Sequence, residues 1–185
     1  MHNASRLPAA LIMALALGCS DQVGPNQTGA SSSAPSFART SQSSVSGHIE
    51  RDLTDFGVLE KYSFHAHYLG NGGVEGGWQL EDFYANGFKE VARGRVTCLT
   101  IEADGRTARI GGITDEATNP VNIGFDAVWV VVDNGEGANA PEDEATDLRY
   151  GQPSGLAAEH CEVGIPPEAF GTFGESVRAN VQVRP

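Results

Sequence analysis

Lys61-Tyr62-Ser63-Phe64-His65-Ala66-His67-Tyr68 alternates strictly, with Tyr62, Phe64, Ala66 and Tyr68 on one side and Ser63, His65 and His67 on the other. A period of two is the signature of a β-strand with one face on a core and one in water. Downstream, Val74, Trp78 and Leu80 share a parity opposite Glu75, Gln79 and Glu81, while Gly72-Gly73 and Gly76-Gly77 predict a turn and a bulge. Residues 95–102 and 106–113 read as a hairpin through Asp104-Gly105, a pair suited to a turn with positive φ at both central positions. Phe125 to Val132 is apolar at both parities and includes Trp129, as expected of a strand covered on both faces. Val177 to Val183 alternates again and predicts a closing strand. No long 3.6-residue periodicity interrupts this pattern. The expectation is an all-β domain over 47–185, a single antiparallel β-sandwich of about seven or eight strands.

The amino-terminal part is of a different kind. Arg6 precedes the apolar run Leu7 to Gly18, which is too short for a permanent bilayer span and has the order of an export signal. Ser20 to Ser46 is rich in Ser, Gln, Gly, Pro and Thr, with Val23, Phe37 and Val45 as its large apolar residues. Such a composition buries too little surface to order itself, so 19–46 is expected to be a disordered tether. Its random-coil span is about 30 Å. The domain expectation is therefore 1–18 signal peptide, 19–46 tether and 47–185 folded module.

Leu15-Ala16-Leu17-Gly18-Cys19 resembles the lipobox of bacterial lipoproteins, departing from it at Ala16, where Leu is usual. The resemblance implies cleavage before Cys19, a lipid on its thiol and a membrane anchor. Ser20 followed by Asp21 implies, in the same family, the outer membrane of the cell envelope, with the domain facing periplasm or exterior. The alternative is an ordinary secretory signal cut after Ala14-Leu15-Ala16. In the folded part, Gly94-Arg95-Val96-Thr97-Cys98-Leu99, the segment from Gly105 to Gly112, and Val132-Asp133-Asn134-Gly135-Glu136-Gly137 resemble a group of secreted bacterial β-domain proteins of unknown function. That resemblance covers about residues 60–137 and implies no activity.

Lys and Arg total 12 against 24 Asp and Glu, a formal net charge of −12. The bases are scattered singly, without the basic face that phosphate neutralisation needs, so nucleic acid is excluded as a partner class. With Cys19 assigned to lipid, Cys98 and Cys161 remain and are expected to pair in an oxidising compartment.

Few residues suggest chemistry. His65 and His67, two apart on a strand, point the same way and form half of a metal site of cupin type, for which Glu75 and His160 are the nominees to complete it. Their spacing does not match that family. Asp133, Asn134 and Glu136, followed by Glu142, Asp143, Glu144 and Asp147, gather oxygen ligands in a Gly-rich loop, which suits calcium but lacks EF-hand alternation. Ser154 lacks the flanking glycine pattern of a nucleophile elbow. Gly70 to Gly77 lacks the Lys-Ser/Thr end of a phosphate loop. Trp78 and Trp129 share parity with apolar neighbours and are assigned to the core rather than to sugar stacking. No catalytic residue is nominated. The expected function is a non-catalytic envelope lipoprotein with a binding or structural role, no resident cofactor and an unidentified ligand. The alternatives are a small metal-dependent enzyme using His65 and His67, or a calcium-stabilised adhesion or glycan-binding module.

Overall fold

The computed structural model describes residues 42–53, 56–137, 139–165 and 176–185. The export segment, Cys19 and the tether as far as residue 41 lie outside the described residues. The strands are β1 (Ser44–Leu53), β2 (Val58–Tyr68), β3 (Val74–Tyr84), β4 (Lys89–Ile101), β5 (Thr107–Ala117), β6 (Asp126–Val132), β7 (Glu144–Ala145), β8 (Arg149–Gln152) and β9 (Ser176–Arg184). A single α-helix, α1 (Leu156–Val163), accompanies them among the described residues. β1 begins at Ser44 rather than Gly47, because Val45 is buried and pairs with Ala66 on one side and Val183 on the other.

All strand pairings are antiparallel, and the hydrogen-bonded order is β7-β6-β5-β4-β3-β2-β1-β9, with β8 paired to β6 beside that path. The all-β, antiparallel expectation therefore holds, and the sheet is nearly closed on itself. Its two ends meet through carboxylates. Val181 N–H donates to Asp143 Oδ2 (2.7 Å) and Val183 N–H to Asp133 Oδ2 (2.9 Å), so β9 donors that would face outward at a sheet edge are satisfied by side chains from the β6–β7 connection.

The inward parities of β2 and β3 are those the alternation predicts. Tyr62, Phe64, Ala66, Trp78 and Leu80 join Val45, Ile49, Val96, Leu99, Ile110, Trp129, Val131 and Val181 in one interior cluster. Trp129 is packed edge-on against Phe64 (5.6 Å) and Trp78 (6.3 Å), so both tryptophans serve the core. A Cβ at Gly94 or Gly112 would stand 2.9 or 2.8 Å from Trp78 Nε1, and these glycines leave the space the indole fills. Tyr62 Oη–H crosses the interior to donate to Thr146 O (2.6 Å).

Two local expectations need correction. The β2–β3 register runs unbroken from Val58 opposite Tyr84 to Tyr68 opposite Val74, so Gly76-Gly77 is not a bulge. Gly76 instead permits close backbone approach, since a Cβ there would lie 2.1 Å from His65 O. The irregularities fall in β4 against β5, at Arg93/Gly94 and Val96/Cys98. In the β4–β5 turn, Gly105 N–H donates to Glu102 O, which makes Ala103 and Asp104 the central pair. Gly105 follows with φ of 67°, and the Asp104 carboxylate accepts from Arg106 N–H, Thr107 N–H and the Thr107 hydroxyl. Those bonds lower the Asp104 carboxyl to about 2.

β6 is buried on both faces, as its composition predicts. Its outer cover is α1, where Ala157 packs on Val128 beside Cys98. The helix starts at Gly155 without a side-chain cap of its own; Asp126 Oδ2, from β6, accepts from Ala157 N–H (2.9 Å) and supplies one. At the other end, Thr100 Oγ1 donates to Cys161 O (2.7 Å) and Arg109 Nη1 to His160 O (3.0 Å). The Cys98–Cys161 disulfide, spanning 63 positions with Cα atoms 6.2 Å apart, fastens the helix to β4. By loop entropy it stabilises the fold by about 4 kcal/mol. Replacing both cysteines with alanine should lower the stability measured by urea unfolding by about that amount. Loss of under 1 kcal/mol would show that α1 is held by its polar contacts alone.

Candidate functional site

The residues nominated from sequence do not converge. His65 and His67 project outward from β2, as two-residue spacing requires, and His67 Nε2 lies 3.9 Å from Glu75 Oε2 across the β2–β3 ladder. His160 is fully buried in α1, with Nε2 3.2 Å from Trp129 O. That contact makes Nε2 the protonated nitrogen of a neutral ring, and burial holds its pKa below the usual histidine value. Among the described residues no group of three or more His, Cys, Asp or Glu side chains comes together as a metal site would.

In the acidic loop the carboxylates accept main-chain N–H groups. Asp133 Oδ1 accepts from Gly135 N–H and Asp143 Oδ1 from Asn134 N–H, both at 2.8 Å, while their second oxygens close the sheet on β9. The Asn134 side chain donates to Glu142 O (2.7 Å) and Glu144 Oε1 (3.3 Å) and accepts from Arg106. Asp147 is turned away from this loop, forming an ion pair with Arg51. Glu136 is exposed. Ser154 is exposed beside the start of α1.

His65 does take part in an opening. An open groove of about 530 Å³ crosses the outer face of β2 to β5, floored by Gly77 and Gly94 and walled by His65, Gln79, Arg93 and Glu116. A second hollow of about 260 Å³ extends it past Val91 and Ala117. Gly77 leaves part of that surface without a side chain, where a Cβ would meet only His65 Cε1 and Gly94 O. Arg93 is paired with Glu116 and Arg95 with Asp115 along its far wall, so the lining presents both signs of charge and neutral donors.

The alternation also hides a second constellation. Arg51, Glu60, Asp82 and Glu90 occupy one cross-strand rung: Arg51 is opposite Glu60, Glu60 opposite Asp82, and Asp82 opposite Glu90. Glu60 and Asp82 carry the even parity of Tyr62 and Leu80, so the pattern that places those residues inside also places these carboxyls inside. That was the available signal. Arg51 is 3% exposed and Glu60 4%. Tyr84 Oη–H donates to Glu90 Oε2 (3.1 Å) at the mouth of the rung.

Arg51 is shared unequally. It pairs closely with Asp147 but stands 3.8 Å from Glu60 Oε1, which has no hydrogen-bond partner among the described residues. Burial, with the Asp82 charge adding to it, therefore raises the Glu60 carboxyl to about 8 despite the guanidinium. Asp82 is raised to about 6 by burial and by Glu90. Both shifts favour the protonated carboxyl over the carboxylate in the fold.

Comparison with protein-family models, with curated proteins and with solved structures gives no match to this chain.

Both raised carboxyls bind protons more tightly in the folded state than in the unfolded one. Stability is fullest below the unfolded carboxylate range and falls as pH rises through about 6 and then about 8. Melting temperature should therefore decline between pH 5 and pH 8.5, and Glu60→Gln should flatten the decline by an amount on the order of a few kcal/mol. An unchanged slope in Glu60→Gln would assign the pH dependence elsewhere.

Proposed function

We propose that this chain is an exported bacterial lipoprotein, anchored through Cys19 and extended on a tether, whose folded module is a non-catalytic binding or structural element of the cell envelope. The observation that carries the reading is the Cys98–Cys161 disulfide. A bridge that fixes the helix to the sheet is stable in an oxidising compartment and is lost in a reducing cytosol. The apolar run ending at Cys19 is the device that would deliver the chain to such a compartment. We read the module as a flattened barrel whose facing walls pack as the two layers of a sandwich, with the tryptophans, Phe64 and Tyr62 between them. The groove over Gly77 and Gly94 is the ligand-facing surface in this reading, because its polar lining of both signs suits a neutral or zwitterionic hydrogen-bonding ligand better than a polyanion.

Labelling of growing bacteria with a fatty acid should place lipid on the wild-type chain, and Cys19→Ala should abolish the label and release the protein from membranes without stopping export. A label that survives Cys19→Ala overturns the anchoring. For the module, a chelator should leave the melting temperature unchanged, because the Asp133 and Asp143 oxygens already accept main-chain N–H groups. A fall of several degrees would establish the calcium-stabilised alternative.

A further inference from the structure

Of the seven large apolar side chains exposed among the described residues, six stand at one end of the sheet: Phe56, Phe83, Phe88, Val121, Ile123 and Phe125. Phe56, in the β1–β2 turn, is 80% exposed, Val121 65% and Phe88 51%. The three loops form a continuous arc of rim. Ala85 N–H donates to Gly57 O (3.0 Å), tying the β1–β2 turn to the β3–β4 hairpin. Val91 N–H donates to Thr118 Oγ1 (2.9 Å) and Thr118 N–H to Val91 O (2.8 Å), tying the start of β4 to the β5–β6 connection. The opposite rim has the contrary character, carrying Asp104, Asp133, Glu136, Glu142 and Asp143.

We propose that the apolar rim is a bilayer-contact surface that seats its aromatic tips in the interface of a zwitterionic membrane. Phe56, Phe88, Val121, Ile123 and Phe125 lie on the connections between strands, which contain Gly57, Gly87 and Gly124, and Phe83 stands on the outer face of β3 beside them, so the apolar groups are spread around the rim instead of forming the flat patch that another protein would cover. Lys61 and Lys89 hold their ammonium groups 6.0 and 5.0 Å from the Phe83 ring centroid, stems along the apolar surface and heads toward headgroup level. Each is neutralised, Lys61 by Glu50 and Lys89 by Glu81, both at 2.9 Å. The rim therefore has no excess positive charge for anionic lipid, and the net −12 of the chain repels it.

The length of chain ahead of β1 permits this contact. Ser44 enters at the acidic rim, opposite Arg184. The eleven residues of β2 span about 36 Å, whereas residues 20–43 reach about 80 Å when extended. A chain fixed at Cys19 can thus turn its module over and set the far rim on the same bilayer. The rim contact goes beyond the anchoring proposal and does not require it.

The test uses the purified full chain with phosphatidylcholine vesicles carrying brominated acyl chains. Phe88→Trp places an indole on the apolar rim and Asn139→Trp places one at the acidic rim; emission of the wild type, from Trp78 and Trp129 in the core, is subtracted. The expected result is a blue shift and at least a threefold quenching of the Phe88→Trp reporter, with none for Asn139→Trp, and weaker quenching when phosphatidylglycerol is mixed in. Phe56→Trp repeats the measurement should the first variant fold poorly. Vesicle co-sedimentation without reporter quenching overturns the rim contact while leaving the Cys19 anchor standing. Quenching that persists in Cys19→Ala keeps the rim contact whatever becomes of the anchor. A blue shift without quenching, with a doubled sedimentation mass, overturns the proposal in favour of a second copy, and stronger quenching with phosphatidylglycerol overturns its apolar basis.

Discussion

The fold depends on how its sheet ends. Eight strands in one hydrogen-bonded path leave two free edges, and unpaired edge groups are costly if buried and a template for aggregation if exposed. Here β7 is only two residues long and cannot complete a ladder with β9. Asp133 and Asp143 do so instead, each using one oxygen to fix its own loop and the other to accept from β9. A carboxylate accepting main-chain N–H groups satisfies donors that no strand is long enough to reach. The two bonds join the ends of the path around the interior cluster.

The glycines carry a second constraint. Gly94 and Gly112 make room for Trp78 inside, and Gly111 makes room outside for Ala157 and the Cys98 sulfur. One strand, β5, thus admits a large ring on its inner face and a helix on its outer face by omitting side chains at consecutive positions. Gly77 leaves part of the outer groove open by the same means. Packing and surface relief have a common origin in where a Cβ is missing.

Most of the strand pattern was legible because period two survives any tertiary arrangement. Tyr62, Phe64, Ala66, Trp78 and Leu80 are buried where parity placed them, and Phe125 to Val132 contains the doubly covered strand. The turn at Asp104-Gly105 is wider than the dipeptide implies, because the dipeptide alone does not reveal that the Asp104 side chain organises the residues after it. Position within the sheet was less legible still. Nothing local in Asp133 or Asp143 distinguishes a carboxylate awaiting a cation from one that closes a seam with a strand 38 or 50 residues away. The rung of Arg51, Glu60, Asp82 and Glu90 was present in the parity, yet charged residues on a core face are normally discounted, and register across four strands is not visible in any one of them.

β1 begins at the acidic rim and runs the length of the sheet, with β2 on one side and β9 on the other. Traction entering at Ser44 and resisted at the far rim would act parallel to that strand. The load would then fall as shear on both of its ladders together, instead of peeling bonds open one after another.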